Sequence, residues 1–93
     1  MRYYRQKTDH NQAEIVQALR QVGCLIFDLS GQGGGVPDLI ALTPKGETVL
    51  IECKNPQGRD RLTPAQERAI AMGWPIHVVR TPEEALALVD STI

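Results

Sequence analysis

Ninety-three residues suffice for one compact domain and are too few for two separate cores, so every motif has to serve one fold. A composition of 42% hydrophobic and 23% charged residues, without repeats, excludes a disordered chain or a solenoid, and apolar runs as short as 36–42, broken by Pro37 and Asp38, exclude a bilayer span. A net charge of −1 excludes an overall basic field, so any phosphate-binding surface must be local, drawn from Arg2, Arg5, Lys7, Lys54, Arg59, Arg61 and Arg68.

The basic start, Met1 to Arg5, is followed by the polar His10, Asn11, Gln12 and Glu14 where a secretory signal needs an apolar stretch, which predicts a cytoplasmic protein, in its own cell or in a host. Thr8 or Asp9 is a suitable cap for a first helix running to about residue 22, with Ile15, Ala18, Leu19 and Val22 as its buried stripe and Gly23 as its stop. Residues 24–29 read as a first strand, and the glycines of 31–35 as a loop whose positions are free to take positive φ. Cys24 and Cys53 lie in apolar runs and not in a C-x-x-C pair, which predicts buried thiols in place of a disulfide or zinc site.

Two further strands are predicted over 36–43 and 48–54, joined as an antiparallel hairpin through Pro44, Lys45, Gly46 and Glu47. A polar loop follows to Arg61, then a second helix capped by Thr63, opened by Pro64 and stopped by Gly73, Trp74 and Pro75. Residues 76–80 form a fourth strand, parallel to the third through a right-handed crossover. Thr81 and Pro82 start a last helix that turns Ala85, Leu86 and Val89 inward. The expected architecture is αβββαβα, an α/β or α+β fold in which helices flank a four-stranded mixed sheet.

Alternation places Leu50, Glu52 and Lys54 on one face of the third strand and Val49, Ile51 and Cys53 on the other. A three-residue hairpin loop with Gly46 in the left-handed position sets Asp38 directly across from Glu52; a two-residue loop sets it opposite Cys53, on the wrong face. Facing carboxylates repel, and an Asp in an apolar strand costs stability unless something offsets its charge. Magnesium, which takes one or two carboxylates together with other oxygens, suits Asp38, Glu52 and the backbone carbonyl of Cys53. Lys54 beside it can hold the attacking water or neutralise charge growing on a phosphate. The bland alternative is a cross-strand ion cluster on a hairpin surface; the apolar context of both strands and the glycine loop favour chemistry.

Val36-Pro37-Asp38-Leu39-Ile40 followed by Ile51-Glu52-Cys53-Lys54 resembles the PD-(D/E)-x-K nuclease motif. Together with the glycine loop, Leu62-Thr63-Pro64-Ala65-Gln66 and the Val78-Val79 strand, it resembles the VRR-NUC family over nearly the whole chain, as a single domain over 1–93. The resemblance implies a restriction-endonuclease-like core and Mg2+- or Mn2+-dependent cleavage of DNA phosphodiesters, often at branched structures. Stand-alone members are similar to Holliday-junction resolvases, which implies a two-fold homodimer. It also implies that a first-helix carboxylate joins the metal site, matched here by Glu14 at the rim of the buried stripe, where a solvated carboxylate is the alternative. Gln66, aimed inward on the row of Ala69 and Ile70, matches the family's second-helix Gln and is expected to orient water or Lys54.

Where relatives often carry an Arg in the glycine loop, this chain has Gln32, so phosphate contact there falls to backbone N–H groups and to Ser30 or Gln32. Arg59, Arg61 and Lys7 complete the expected DNA-binding set, with Tyr3 and Tyr4 as stacking candidates. His77 is expected to be structural, and His10 is a candidate for touching DNA. Two rival readings remain. One is a non-catalytic nucleic-acid- or protein-binding module with the same fold. The other is a nucleotide-binding α/β domain, disfavoured because the glycine loop lacks a P-loop lysine and does not open onto a helix.

Overall fold

In the computed structural model, which describes residues 10–57 and 61–92, the first helix, α1, spans His10–Gln21. Its expected cap at Thr8 or Asp9 lies outside the described residues. Ile15 and Leu19 are fully buried, four residues apart on one row, as the 3.6-residue period demands. The helix stops in a Schellman motif: Gly23 takes φ +95°, its N–H donates to the Arg20 carbonyl, and the Cys24 N–H reaches back to Leu19.

Strands β1 (Leu25–Asp28), β2 (Leu39–Leu42) and β3 (Thr48–Cys53) form an antiparallel meander, and β4 (Ile76–Val79) lies parallel to β3. Helix α2 (Pro64–Ala71) makes the crossover between β3 and β4, and α3 (Pro82–Val89) ends in a 3-10 turn at Asp90–Thr92. The result is a four-stranded mixed sheet in the order β1-β2-β3-β4 flanked by helices, an α+β fold as expected. Each strand is a little shorter than its apolar run, because chain ends splay where ladder bonds stop.

The β2–β3 turn decides where the chemistry sits. The Gly46 N–H donates to the Thr43 carbonyl, Thr43 N–H donates to the Glu47 carbonyl at 2.8 Å, and Gly46 takes φ +86°. This is the three-residue loop, and the register it sets pairs Leu39 with Ile51. Continued by one residue, that register brings Asp38 opposite Glu52.

Between the sheet and the α1–α3 pair lies the core: Ile15, Leu19, Leu39, Ala41, Ile51, Val79, Ala85 and Val89. Leu86, expected inward, is only half-buried. Cys24 and Cys53 are buried thiols that form no disulfide, and burial pushes the Cys24 thiol up. Helix α2 lies on the opposite face and has no buried residue. None of the described helices is long and apolar enough to cross a membrane.

Candidate active site

Asp38 sits just before β2, where its backbone carbonyl accepts from the Leu29 N–H at 2.7 Å and its side-chain Oδ2 accepts from the Cys53 N–H at 2.9 Å. That second bond bridges the two strands and points the carboxyl at Glu52. Burial is the main force pushing the Asp38 carboxyl up from 3.8 to about 6, and the charge of Glu52 and a hydrogen bond with it push the same way. The Cys53 N–H and the Lys54 ammonium pull it down, without prevailing.

Glu52 is 5% exposed, so its charge has been withdrawn from water and needs partners. Its Oε2 has two: Gln66 Nε2 at 2.8 Å and Lys54 Nζ at 3.4 Å. Its Oε1 is buried and has no hydrogen-bond partner among the described residues. An orphaned carboxylate oxygen beside a second carboxyl whose proton affinity is raised is the environment a divalent cation would relieve, and hard oxygen donors suit Mg2+ or Mn2+. Asp38 and Glu52, with the Cys53 carbonyl on the same strand, fit such an ion.

Gln66 does two jobs. Its Oε1 accepts from the Thr63 N–H at 2.9 Å while its own N–H donates to Thr63 Oγ1, closing a capping box at the start of α2. With its oxygen fixed there, the amide nitrogen is left to face Glu52. The inward aim expected from the helix period is found; the partner is Glu52 and not Lys54, which meets Gln66 only through the shared Oε2. Gly35 holds α2 in this place: at φ +88°, a Cβ there would lie 2.8 Å from the Ala65 carbonyl oxygen, so only glycine lets the loop approach the helix so closely.

Glu14 is not brought to the site. It is exposed, and among the described residues no three His, Cys, Asp or Glu side chains group to hold a metal. The polar residues of α1 that turn inward, beside Ile15 and Leu19, are Asn11 and Gln12, at 8% and 5% exposure. Asn11 was legible in principle, because it continues the Ile15/Leu19 row one turn back. Ser30 is committed to its own loop, its hydroxyl and N–H both donating to Asp28 Oδ1 at 2.6 and 2.9 Å. Gln32 and Arg61 are exposed on the loops that flank the site. Lys7, Arg59, Tyr3 and Tyr4 lie outside the described residues, and so does the side chain of His10. His77 pairs with Ile51 in the parallel register and so faces away from Glu52, consistent with no part in this site.

Fold and site together define a nuclease-like domain: two carboxyls and a lysine gathered where β2 and β3 meet. The VRR-NUC domain family model matches residues 3–73, well over half of the chain, and the protein belongs to that family. A solved structure described as a VRR-NUC domain is similar in fold, with a TM-score of 0.61 at 22% identity, covering 88% of this chain and 92% of that one. No curated protein matches the sequence.

Proposed function

We propose that this protein is a metal-dependent endonuclease that hydrolyses DNA phosphodiester bonds, with branched DNA as its preferred substrate. One observation carries the reading: Asp38 faces Glu52 across the hairpin, Lys54 Nζ stands 3.4 Å from Glu52 Oε2, and Glu52 Oε1 is buried without a partner among the described residues. Asp38, Glu52 and the Cys53 carbonyl would hold Mg2+ or Mn2+, which when bound supplies a Lewis acid for the phosphate and a water of lowered pKa. Lys54 places a positive charge where negative charge grows on the phosphate oxygens, worth most in a site with little water. Gln66 keeps Glu52 in one rotamer, so the carboxylate pair is set before substrate arrives.

DNA would be gripped through its phosphates by Arg61, Gln32 and loop N–H groups, with Arg59 and Lys7 as further contacts, so binding would weaken steeply with salt. The preference for branches rests on the family resemblance, and a homodimer is supported by an apolar patch. Leu25, Phe27 and Leu42, exposed at 69%, 70% and 40%, share the sheet face that carries Glu52, where a second copy could cover them.

The test is cleavage of a labelled four-way junction, a flap and a linear duplex with Mg2+, Mn2+ or EDTA. Metal-dependent nicking of the branched substrates is expected, falling at least about a hundredfold in Asp38→Ala and Lys54→Ala, the scale of losing a group that stabilises transition-state charge. Junction binding without cleavage by the wild type would replace this reading with that of a binding module. Light scattering at micromolar protein checks the dimer.

A further inference from the structure

Strands β3 and β4 end side by side at Cys53 and Val79, and the last rung of their ladder is the Lys54 N–H donating to the Val79 carbonyl at 3.0 Å. Beyond that rung the two chains diverge, so the next carbonyls lose their strand partners and must be met by something else. The partner is a side chain from the other end of the sequence. Asn11 Nδ2 donates to the Lys54 carbonyl at 2.7 Å and, more weakly, to the Arg80 carbonyl at 3.4 Å. Arg80 in turn sends Nη1 to the Asn55 carbonyl at 2.8 Å.

Asn11 is a poor choice for its position on packing grounds. It lies in the first turn of α1, on the buried row of Ile15 and Leu19, 8% exposed, where a hydrocarbon would bury more favourably and make a better helix. What a hydrocarbon cannot do is donate twice. A carboxamide NH2 has two hydrogens, and here both point at carbonyls that flank the strand ends.

We propose that Asn11 and Arg80 form a clamp that fixes the peptide of Lys54 and Asn55, and through it the line along which the Lys54 ammonium reaches Glu52 and a bound phosphate. The inference rests on the nuclease reading of the site and makes Asn11 and Arg80 positioning residues. Lys54 is the last residue tied to the ladder, with a polar loop after it, and the clamp meets its carbonyl on the side away from the Val79 rung. A long side chain hung on a loose peptide sweeps a wide arc, and displacements of an ångström at a reacting centre cost rate more than binding.

The experiment compares steady-state cleavage by wild type, Asn11→Ala, Asn11→Asp and Arg80→Met with Val89→Ala, a core change away from the site chosen to lower the melting temperature comparably. All are assayed well below their melting points. The clamp predicts that Asn11→Ala lowers kcat about tenfold to a hundredfold while KM for DNA and the Mn2+ concentration for half activity stay within about twofold. Asn11→Asp, the same shape with no donors, does no better than Ala. Arg80→Met, which keeps the stem, loses several-fold, and Val89→Ala keeps its kcat. Amide exchange gives a readout independent of catalysis: Lys54 and Asn55 exchange about fivefold faster or more in Asn11→Ala, with Ile51 unchanged. An active wild type beside an Asn11→Ala of equal kcat, or a Val89→Ala that loses as much, overturns the clamp alone. A wild type that cleaves no substrate overturns the nuclease reading itself, and with it this inference.

Discussion

On one face of the sheet, Leu39, Ala41 and Ile51 are covered by α1 and α3 so completely that no part of them meets solvent. On the other, α2 buries none of its residues, Leu25, Phe27 and Trp74 are more than half exposed, and a cleft of about 280 Å3 lies between α2, Ile40 and Leu50. The same four strands thus serve two purposes. Apolar burial on the first face provides the free energy that holds the sheet together in register. That surplus lets the second face keep a buried glutamate with an unpaired oxygen and a carboxyl opposite it, features that would cost stability in a protein with nothing else to offset them.

If this division is right, substitutions of similar chemistry should have unequal effects on the two faces. Leu19→Ala, in the sealed face, is expected to destabilise by about 2–5 kcal/mol, whereas Ile70→Ala in α2 should cost less than half as much, because that side chain is only half-buried. Urea unfolding measures both. Equal losses would mean that α2 is as integral to the core as α1, and the comparison would fail.

Gly35→Ala tests the one place where the open face is tightly built. The added Cβ meets the Ala65 carbonyl at 2.8 Å on a backbone at φ +88°, so a loss of about 1–3 kcal/mol is expected from conformation alone. Since the clash pushes on the residue next to Gln66, metal-dependent cleavage should fall further than stability does. A variant with normal activity and only a lowered melting temperature would show that α2 can shift without disturbing Glu52.

Several of these features could be read from the sequence and others could not, for physical reasons. Pro44, Lys45 and Gly46 were enough to allow the three-residue turn, and from that turn followed the placement of Asp38 against Glu52, because a hairpin register is fixed locally. The caps at Thr63 and Thr81 were equally local. What Gln66 would touch was not local: it depends on where the crossover helix settles over β3. Glu14 sits roughly 100° round the helix from Ile15, enough to turn it to solvent, and a period alone does not say how wide the buried stripe will be. Asn11 gives no distinct signal in the sequence beyond its place on the Ile15/Leu19 row, because a polar residue at a helix start is usually a surface residue or a cap. The glycine loop suggested phosphate binding, while the structure gives Gly35 a packing role. That residues 24–29 form a strand does not say that Phe27 is left 70% exposed among the described residues.

A smaller effect is expected at Asp38, whose partial burial leaves its charge screened by solvent. Its folded carboxyl, at about 6 against an ordinary 3.8, holds a proton more tightly than in the unfolded chain. Folded stability from this group is therefore lost as pH rises from about 3.8 through about 6, and is level above that. Asp38→Asn should lack this decline, so the variant gains on the wild type with rising pH when urea midpoints are compared in EDTA. Adding Mg2+ above pH 6 should recover the wild type and leave the variant unmoved, because only the ionised pair would bind the ion. Parallel pH curves for the two proteins would remove the carboxyl pair as the strained element of the open face.

The smallest stability change is expected at Phe27→Ser. A ring that is 70% exposed contributes little to its own fold, so the monomer's melting temperature should correspond to a change within about 0.5 kcal/mol. What should change is association. Phe27 stands beside Leu25, across from Ile40, on the face that carries Glu52, so a patch covered by a second copy would bring two sites close together on one surface. If the wild type is a dimer by light scattering and Phe27→Ser a monomer of equal stability, the open face is open only in the isolated chain, and its apolar edge belongs to the assembly that cuts DNA. If both are monomers, the patch is left for the substrate, and paired nicking of a junction should be absent while single nicks persist.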